Sequence, residues 1–401
     1  MGDILFLGHR VPYPPNRGDK IRGYHVLRYL SERARVHLVA FADDPRDLGG
    51  ADGLAAITAD PTIVWRSGSR VRSAAEAIVR GEPMSLTAFR NDAVRRAVEK
   101  VLAEHPIDTI YVFSSQMAQY LPNNPRKRVI MDFVDMDAAK FEAYAEGSRG
   151  PMRWVLQREA RLLLRHDRGI AETAHASLFV SAAEAAMFAD RTGLTDVHAV
   201  ENGIDTVMFD PAASFTPADL PAPAIVFTGQ MDYRPNIEAV CWFAETILPL
   251  IRRRHPDARF AIVGRAPTDA VRALATRAGV IVTGEVPDVR GWLAAASVVV
   301  APLKLARGVQ NKVLEAMAMA RPVVTSHAAA EGIDHAGTIR TGETAAQIAA
   351  AVIAVLDDPI AAARMGRDAR AQVQQRYSWA ARLAPLDALC GFAPTARAVV
   401  G

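Results

Sequence analysis

One pattern constrains this chain more than any other, and it runs twice. A short run of β-branched and other apolar residues stops at a glycine or a polar residue, a loop follows, and then a segment at helical spacing begins. In the first half Ile4–Leu7 stops at Gly8, the loop HRVPYPPNRGDK follows with its three prolines, and Ile21–Leu30 reads as a helix before a second strand at Val36–Phe41. Strand, loop, helix, strand is the opening of a parallel α/β sheet. Further strands are expected at Thr62–Trp65, Thr109–Phe113, Val129–Asp132 and Ser177–Val180, with Arg153–Arg168 as a long basic helix. The pattern breaks at Asp210–Pro223, a stretch with four prolines and no periodicity that reads as a linker. It then restarts with strands at Ala224–Thr228, Phe260–Val263, Val280–Thr283, Ser297–Ala301 and Pro322–Thr325. A helix is expected over Ile237–Arg254, and the chain closes on helical segments at Ala345–Leu356, Ile360–Tyr377 and on to about Leu389.

Length agrees with two successive sheets, since 401 residues exceed one ordinary core. The expected division is residues 1–208, then 209–376, then a closing helix over 377–401 that packs back on the first domain through Trp379. Two such sheets joined by a linker create a cleft facing the carboxyl ends of both strand sets, where ligands of open α/β sheets bind. Two cysteines, Cys241 and Cys390, are too few for a disulfide framework and read as reduced thiols. The apolar run at the N-terminus is too short for a signal peptide and no run reaches membrane-span length, so the expected location is cytoplasmic. A net charge of +3 gives no argument for nucleic acid. Arginines do crowd the first half, among them Arg149, Arg153, Arg158, Arg161, Arg165 and Arg168, which suits an anionic membrane surface or, equally, a solvated face.

Gly308–Ser326 (GVQNKVLEAMAMARPVVTS) holds the densest chemistry. A polar loop delivers Val309, Gln310 and Asn311 to a helix N-terminus, where unpaired amides and the helix dipole favour an anion. Lys312 adds a cation there and Glu315 follows within a turn, an arrangement suited to a phosphate beside a hydroxyl-bearing ligand. Neither sheet carries GxGxxG after its first strand, there is no Walker loop, and the histidines are scattered, so no dinucleotide or metal is expected. Asp132–Asp137 (DFVDMD) offers three carboxylates with a metal-binding look, but Asp132 at a strand end and Asp135 beyond it read better as groups that face the cleft and orient or deprotonate an acceptor hydroxyl.

The order of these features resembles the GT-B glycosyltransferases of family 4, also called group 1. The residues carrying the resemblance are Gly18-Asp19, Ser181–Glu184, Glu201–Asp205 with Phe209, Gly229–Asn236, Val263–Arg265, Gly284–Val286 and Lys312–Ala318. More narrowly, RVPYPPNRGDKIR, MDFVDMDAAKF and GVQNKVLEAMAMARPVV resemble the sugar transferases associated with exosortase (PEP-CTERM) exopolysaccharide systems. The resemblance implies a retaining, metal-independent hexosyltransferase that takes a nucleotide diphosphate sugar and a glycan or lipid-linked acceptor, with no cofactor. It implies that Glu315 matches the second glutamate of the family's E-x7-E element, a ribose-hydroxyl ligand, whereas the first glutamate falls on Arg307. The family's arginine and lysine in the second domain's first loop fall on Gln230 and Asn236, so the diphosphate clamp is expected at Arg307, Lys312 and Arg265, with Gly308 to Asn311, Gly229 and Gly264 around it. Gly18 matches a glycine loop that lets the first domain's backbone approach the donor phosphate. Two alternatives use the same residues: a nucleotide-sugar epimerase on this fold, and a non-catalytic nucleotide-sugar-binding protein, motivated by arginine at position 307.

Overall fold

The computed structural model describes residues 2–15, 18–48, 51–66, 70–122, 126–306 and 309–393. Its first sheet comprises β1 (Asp3–Gly8), β2 (Val36–Ala42), β3 (Ala59–Trp65), β4 (Ile107–Phe113), β5 (Arg128–Val134), β6 (Ala176–Phe179) and β7 (Val197–Ala199). The second comprises β8 (Ala224–Thr228), β9 (Arg259–Val263), β10 (Val280–Gly284), β11 (Val298–Ala301), β12 (Val323–Ser326) and β13 (Arg340–Gly342). Their orders are β3-β2-β1-β4-β5-β6-β7 and β10-β9-β8-β11-β12-β13, and the pairings are parallel throughout. Each sheet therefore turns back at its first strand, between β1 and β4 and between β8 and β11. That is the doubly wound arrangement in which ligands sit beyond the carboxyl ends of the strands at the reversal.

Both faces of such sheets are covered by helices, so central strands read as unbroken apolar runs. All five residues of β8 and all four of β11 are buried, which is why these elements stand out in the sequence. The edges do not. Strand β7 is half-buried along its length and β13 leaves Arg340 and Thr341 exposed, so neither has an apolar signature, and the sequence reading passed over both. The helix expected over Ile237–Arg254 starts earlier, at Arg234, with Pro235 in its first turn, where a missing amide costs nothing. It is interrupted by a π turn at Phe243–Ile247 just ahead of Pro249, whose ring removes a donor and crowds the preceding turn.

Two bodies emerge: the chain up to Asn202 together with the segment from Arg382 onward, and Gly203–Ala381. The expected boundaries at 208 and 377 thus shift by a few residues. Trp379 belongs to the second body, not to an anchor on the first: its backbone lies against Gly203, where a Cβ would come within 2.6 Å of it. The return to the first body is made instead by the helix Pro385–Cys390, whose Asp387 accepts from Tyr29 Oη at 2.9 Å while Arg128 donates to the Leu389 carbonyl at 3.2 Å. The long basic helix extends over Gly150–Ala171 and buries Glu159, Ala160, Leu163 and Asp167. Among the described residues no single helix is long and apolar enough to cross a membrane.

Candidate functional site

Segments that follow β8, β9, β10 and β11 converge in the second domain around a cavity of about 440 Å³. The loops are stitched through their backbones: the Gly229 amide donates to the Val263 carbonyl at 3.0 Å, Gly264 to Gly284 at 3.1 Å, and Met231 to Arg265 at 2.9 Å. This closeness demands glycine, because a Cβ on Gly264 would stand 1.6 Å from the Gly229 carbonyl oxygen.

Asn236, in the first turn of the helix Arg234–Trp242, does not cap that helix. Its Nδ2 donates to the Gln230 carbonyl at 2.8 Å and its Oδ1 accepts from Lys312 Nζ. The Lys312 ammonium also lies 4.4 Å from the centre of the Phe227 ring, a cation–π contact. Gln230 accepts from Arg265 Nε at 2.7 Å when its amide oxygen faces the guanidinium. Lys312 and Glu315 share the helix Asn311–Ala318, one turn apart. Burial lowers the lysine to about 8 against the attraction of Glu315, and burial raises the glutamate to about 6 against that of Lys312. Opposed shifts of this kind beside a cavity are the pattern expected of a functional-site candidate. The amides of Asn311 and Lys312 belong to the first helical turn, where no intrahelical acceptor exists.

Eight of the expected residues therefore line one cavity: Gly229, Gln230, Asn236, Gly264, Arg265, Gln310, Lys312 and Glu315. Val309 packs against the apolar core of the second domain, and Asn311 is exposed at the helix start. Arg307 and Gly308 lie outside the described residues. Thr228, Tyr233, Val263, Glu285, Val286 and Val289 complete the lining and were not singled out as ligands. For Glu285 the signal was a carboxylate directly after the glycine that ends β10. An ammonium and a guanidinium beside two carboxylates, Glu285 and Glu315, suit an anion joined to a hydroxyl-bearing group.

The first domain corrects one expectation. Asp132 is not a surface carboxylate at a strand end: it is fully buried. Its Oδ2 accepts from Arg22 Nε at 3.0 Å and Tyr111 Oη at 2.7 Å, and its Oδ1 accepts from the Val134 amide at 3.1 Å. With Arg22 itself 1% exposed, this is an internal ion pair that ties β5 to the helix Gly18–Ser31, and it leaves no room for a substrate hydroxyl. Asp135 is exposed, but its carboxylate is 2.7 Å from Lys140 Nζ, which also reaches Asp137 at 3.1 Å. The three carboxylates of this stretch thus do not converge. The turn is nevertheless unusual, for Val134 holds a φ of 71°, a conformation that β-branched residues rarely adopt. Gly18 opens its helix with nothing within 4 Å of where a Cβ would stand, so packing does not require a glycine there. The histidines are not all scattered either, since His37 and His105 stack on one another.

Residues 222–358, the sheet that carries the cavity, match the family model described as "Glycosyl transferases group 1". Over 198 residues the chain is 28% identical to glycogen synthase of Mycobacterium tuberculosis, a match covering 47% of this chain and 46% of that protein. The chain spans about half the length of the curated relatives it matches. Among solved structures it resembles a sucrose-phosphate synthase from Thermosynechococcus elongatus, with TM-score 0.58, 17% identity, and 97% and 98% of the two chains covered. It also resembles Anabaena HepE in complex with UDP-glucose, with TM-score 0.57, 14% identity, and 98% and 100% covered. The fold is GT-B. In this GT-B chain the family match falls on the domain that gathers Lys312, Glu315, Asn236 and Arg265.

Proposed function

We propose that this protein is a retaining, metal-independent glycosyltransferase. It moves a hexosyl unit from a nucleotide diphosphate sugar to a glycan or lipid-linked acceptor in exopolysaccharide biosynthesis. One observation carries the reading: Lys312 and Glu315, with opposed pKa shifts, face a cavity at the carboxyl ends of β8 and β9 beside Arg265. The UDP-glucose complex of the structurally similar HepE supports a nucleotide-sugar donor.

The leaving group in such a transfer is a nucleoside diphosphate, so the chief demand is stabilising developing phosphate charge. Lys312, Arg265 and the Asn311–Lys312 amides take that task, acting as fixed electrostatic partners of the departing oxygens. Glu315 accepts from the ribose hydroxyls, which requires it ionised. Retention brings the acceptor to the face that the diphosphate leaves, and Asp135, exposed and paired with Lys140, is the group we assign to orient it, since Asp132 is buried and engaged by Arg22 and Tyr111.

The protein works in the cytoplasm, at the inner face of a membrane. The helix Gly150–Ala171 supports this second element: Met152 and Trp154 are 58% and 57% exposed, beside exposed Arg153, Arg161 and Arg165. Aromatic and basic side chains together suit an anionic interface. Anionic vesicles at low salt should retain the protein, with release as salt rises; equal behaviour with neutral vesicles would reduce the arginines to a solvated face.

The deciding experiment is a panel of nucleotide sugars, first as ligands that raise the melting temperature and then with lipid-linked acceptors. Transfer of the sugar, undiminished by a chelator, is the expected result. Interconversion of the sugar without an acceptor would establish the epimerase reading instead, and binding without any turnover would leave a nucleotide-sugar-binding protein.

A further inference from the structure

At the opposite ends of the first domain's strands, a second group of side chains converges that plays no part in the donor cavity. Asp3 begins β1, His37 is the second residue of β2, and His105 lies between the helix Asp92–Glu104 and β4. Parallel pairing brings these three starts side by side. The Asp3 amide donates to the Pro106 carbonyl and the Ile4 amide to the Arg35 carbonyl, each at 2.9 Å, so the backbone itself sets the approach. His37 is 2% exposed, and its Nε2 lies 2.8 Å from Asp3 Oδ2. The His37 and His105 rings stack with centroids 4.0 Å apart and planes 25° from parallel. One donor atom from each of the three residues lies within 4.8 Å of the others.

We propose that Asp3, His37 and His105 form a binding site for a divalent transition metal of the Zn²⁺ class. Two imidazole nitrogens and one carboxylate oxygen are the donors such ions prefer, whereas Mg²⁺ and Ca²⁺ favour oxygen alone. A tetrahedral ion with bonds of about 2.0–2.1 Å holds its ligands roughly 3.3 Å apart. The Asp3–His37 contact is a 2.8 Å hydrogen bond, so an ion would take the place of its proton and open the pair slightly, and the half-buried His105 ring would swing out of the stack to turn a nitrogen onto the ion. Three protein ligands leave the fourth position to water. The ion would clamp β1, β2 and the approach to β4 at one end of the first sheet, a structural role separate from sugar transfer.

The test uses tag-free, full-length protein stripped with a chelator and dialysed against Co²⁺ or Zn²⁺. His105→Ala and Asp3→Asn are the variants, because the more deeply buried His37 risks the fold. The expected result is about one ion per chain, a tetrahedral Co²⁺ absorption spectrum displaced by Zn²⁺, and a melting temperature raised by Zn²⁺ but not by Mg²⁺. Affinity should fall by about tenfold or more in His105→Ala. Equal metal uptake by the parent and His105→Ala overturns the proposal, as does a parent protein that retains no ion after dialysis.

Discussion

Two carboxylate-and-cation pairs at strand ends show how differently one topology is used. In the first sheet Asp132, near the end of β5, meets Arg22, Tyr111 and the Val134 amide, and its acceptor positions are filled from within the protein. In the second sheet Lys312 and Glu315 stand beside a cavity, and burial shifts their ionisation in opposite senses, to about 8 and about 6. The strand orders are equivalent over six strands, with Asp132 inside β5 and Lys312 and Glu315 on the helix that follows β11, but charge pairing alone does not separate the two pairs. Saturation does. A buried ion pair whose carboxylate is engaged on both oxygens contributes to architecture, whereas polar groups beside open space are available to a ligand.

The strongest way to break this comparison is Asp132→Ala. It leaves the Arg22 guanidinium buried without its charge partner, and the expected cost is about 3–5 kcal/mol of stability, read as a lower denaturation midpoint. A variant that folds as well as the parent yet transfers no sugar would return Asp132 to the chemistry. Next in size is Lys312→Ala. Loss of one donor to the developing phosphate charge should lower turnover by about 10²–10³-fold with the melting temperature little changed, and full activity would sink the phosphate assignment. Tyr111→Phe sharpens the first half of the contrast. It removes one hydrogen bond to a buried carboxylate, so about 1–3 kcal/mol of stability should go while the KM for the donor stays constant.

The gentlest probe is pH. Lys312 is the required ammonium only below its lowered pKa, so donor binding weakens as pH rises through about 8. Glu315 is the required carboxylate only above its raised pKa, so binding also weakens as pH falls through about 6. The dependence of kcat/KM on pH, which reports the free enzyme, should form a plateau between these limits. Glu315→Gln should remove the acid limb and keep the alkaline one. A flat profile in the parent protein would detach both groups from the site.

Much of this could be read from the chain before any coordinates. Strand β8 is apolar throughout because both its faces are covered, and Gly229 and Gly264 stand out at the ends of such runs. Lys312 and Glu315 stood out for a comparable reason, since a helix start fixes what its first turn can present. Where the reading failed, the deciding partner was remote. Asp132 looked like an accessible acid because nothing near it in sequence announces Arg22 or Tyr111.

Local patterning, then, determined the two parallel sheets, their strand–loop–helix order and the segment that brings Lys312 and Glu315 to the cavity, because periodicity and turn chemistry act over a few residues. Only the tertiary structure decided which charges are spent on one another and which face open space. It also decided that Asp3, His37 and His105, far apart in the chain, stand together. Pairing of polar groups depends on distances in space, and no spacing along the chain encodes those between strands that meet across a sheet.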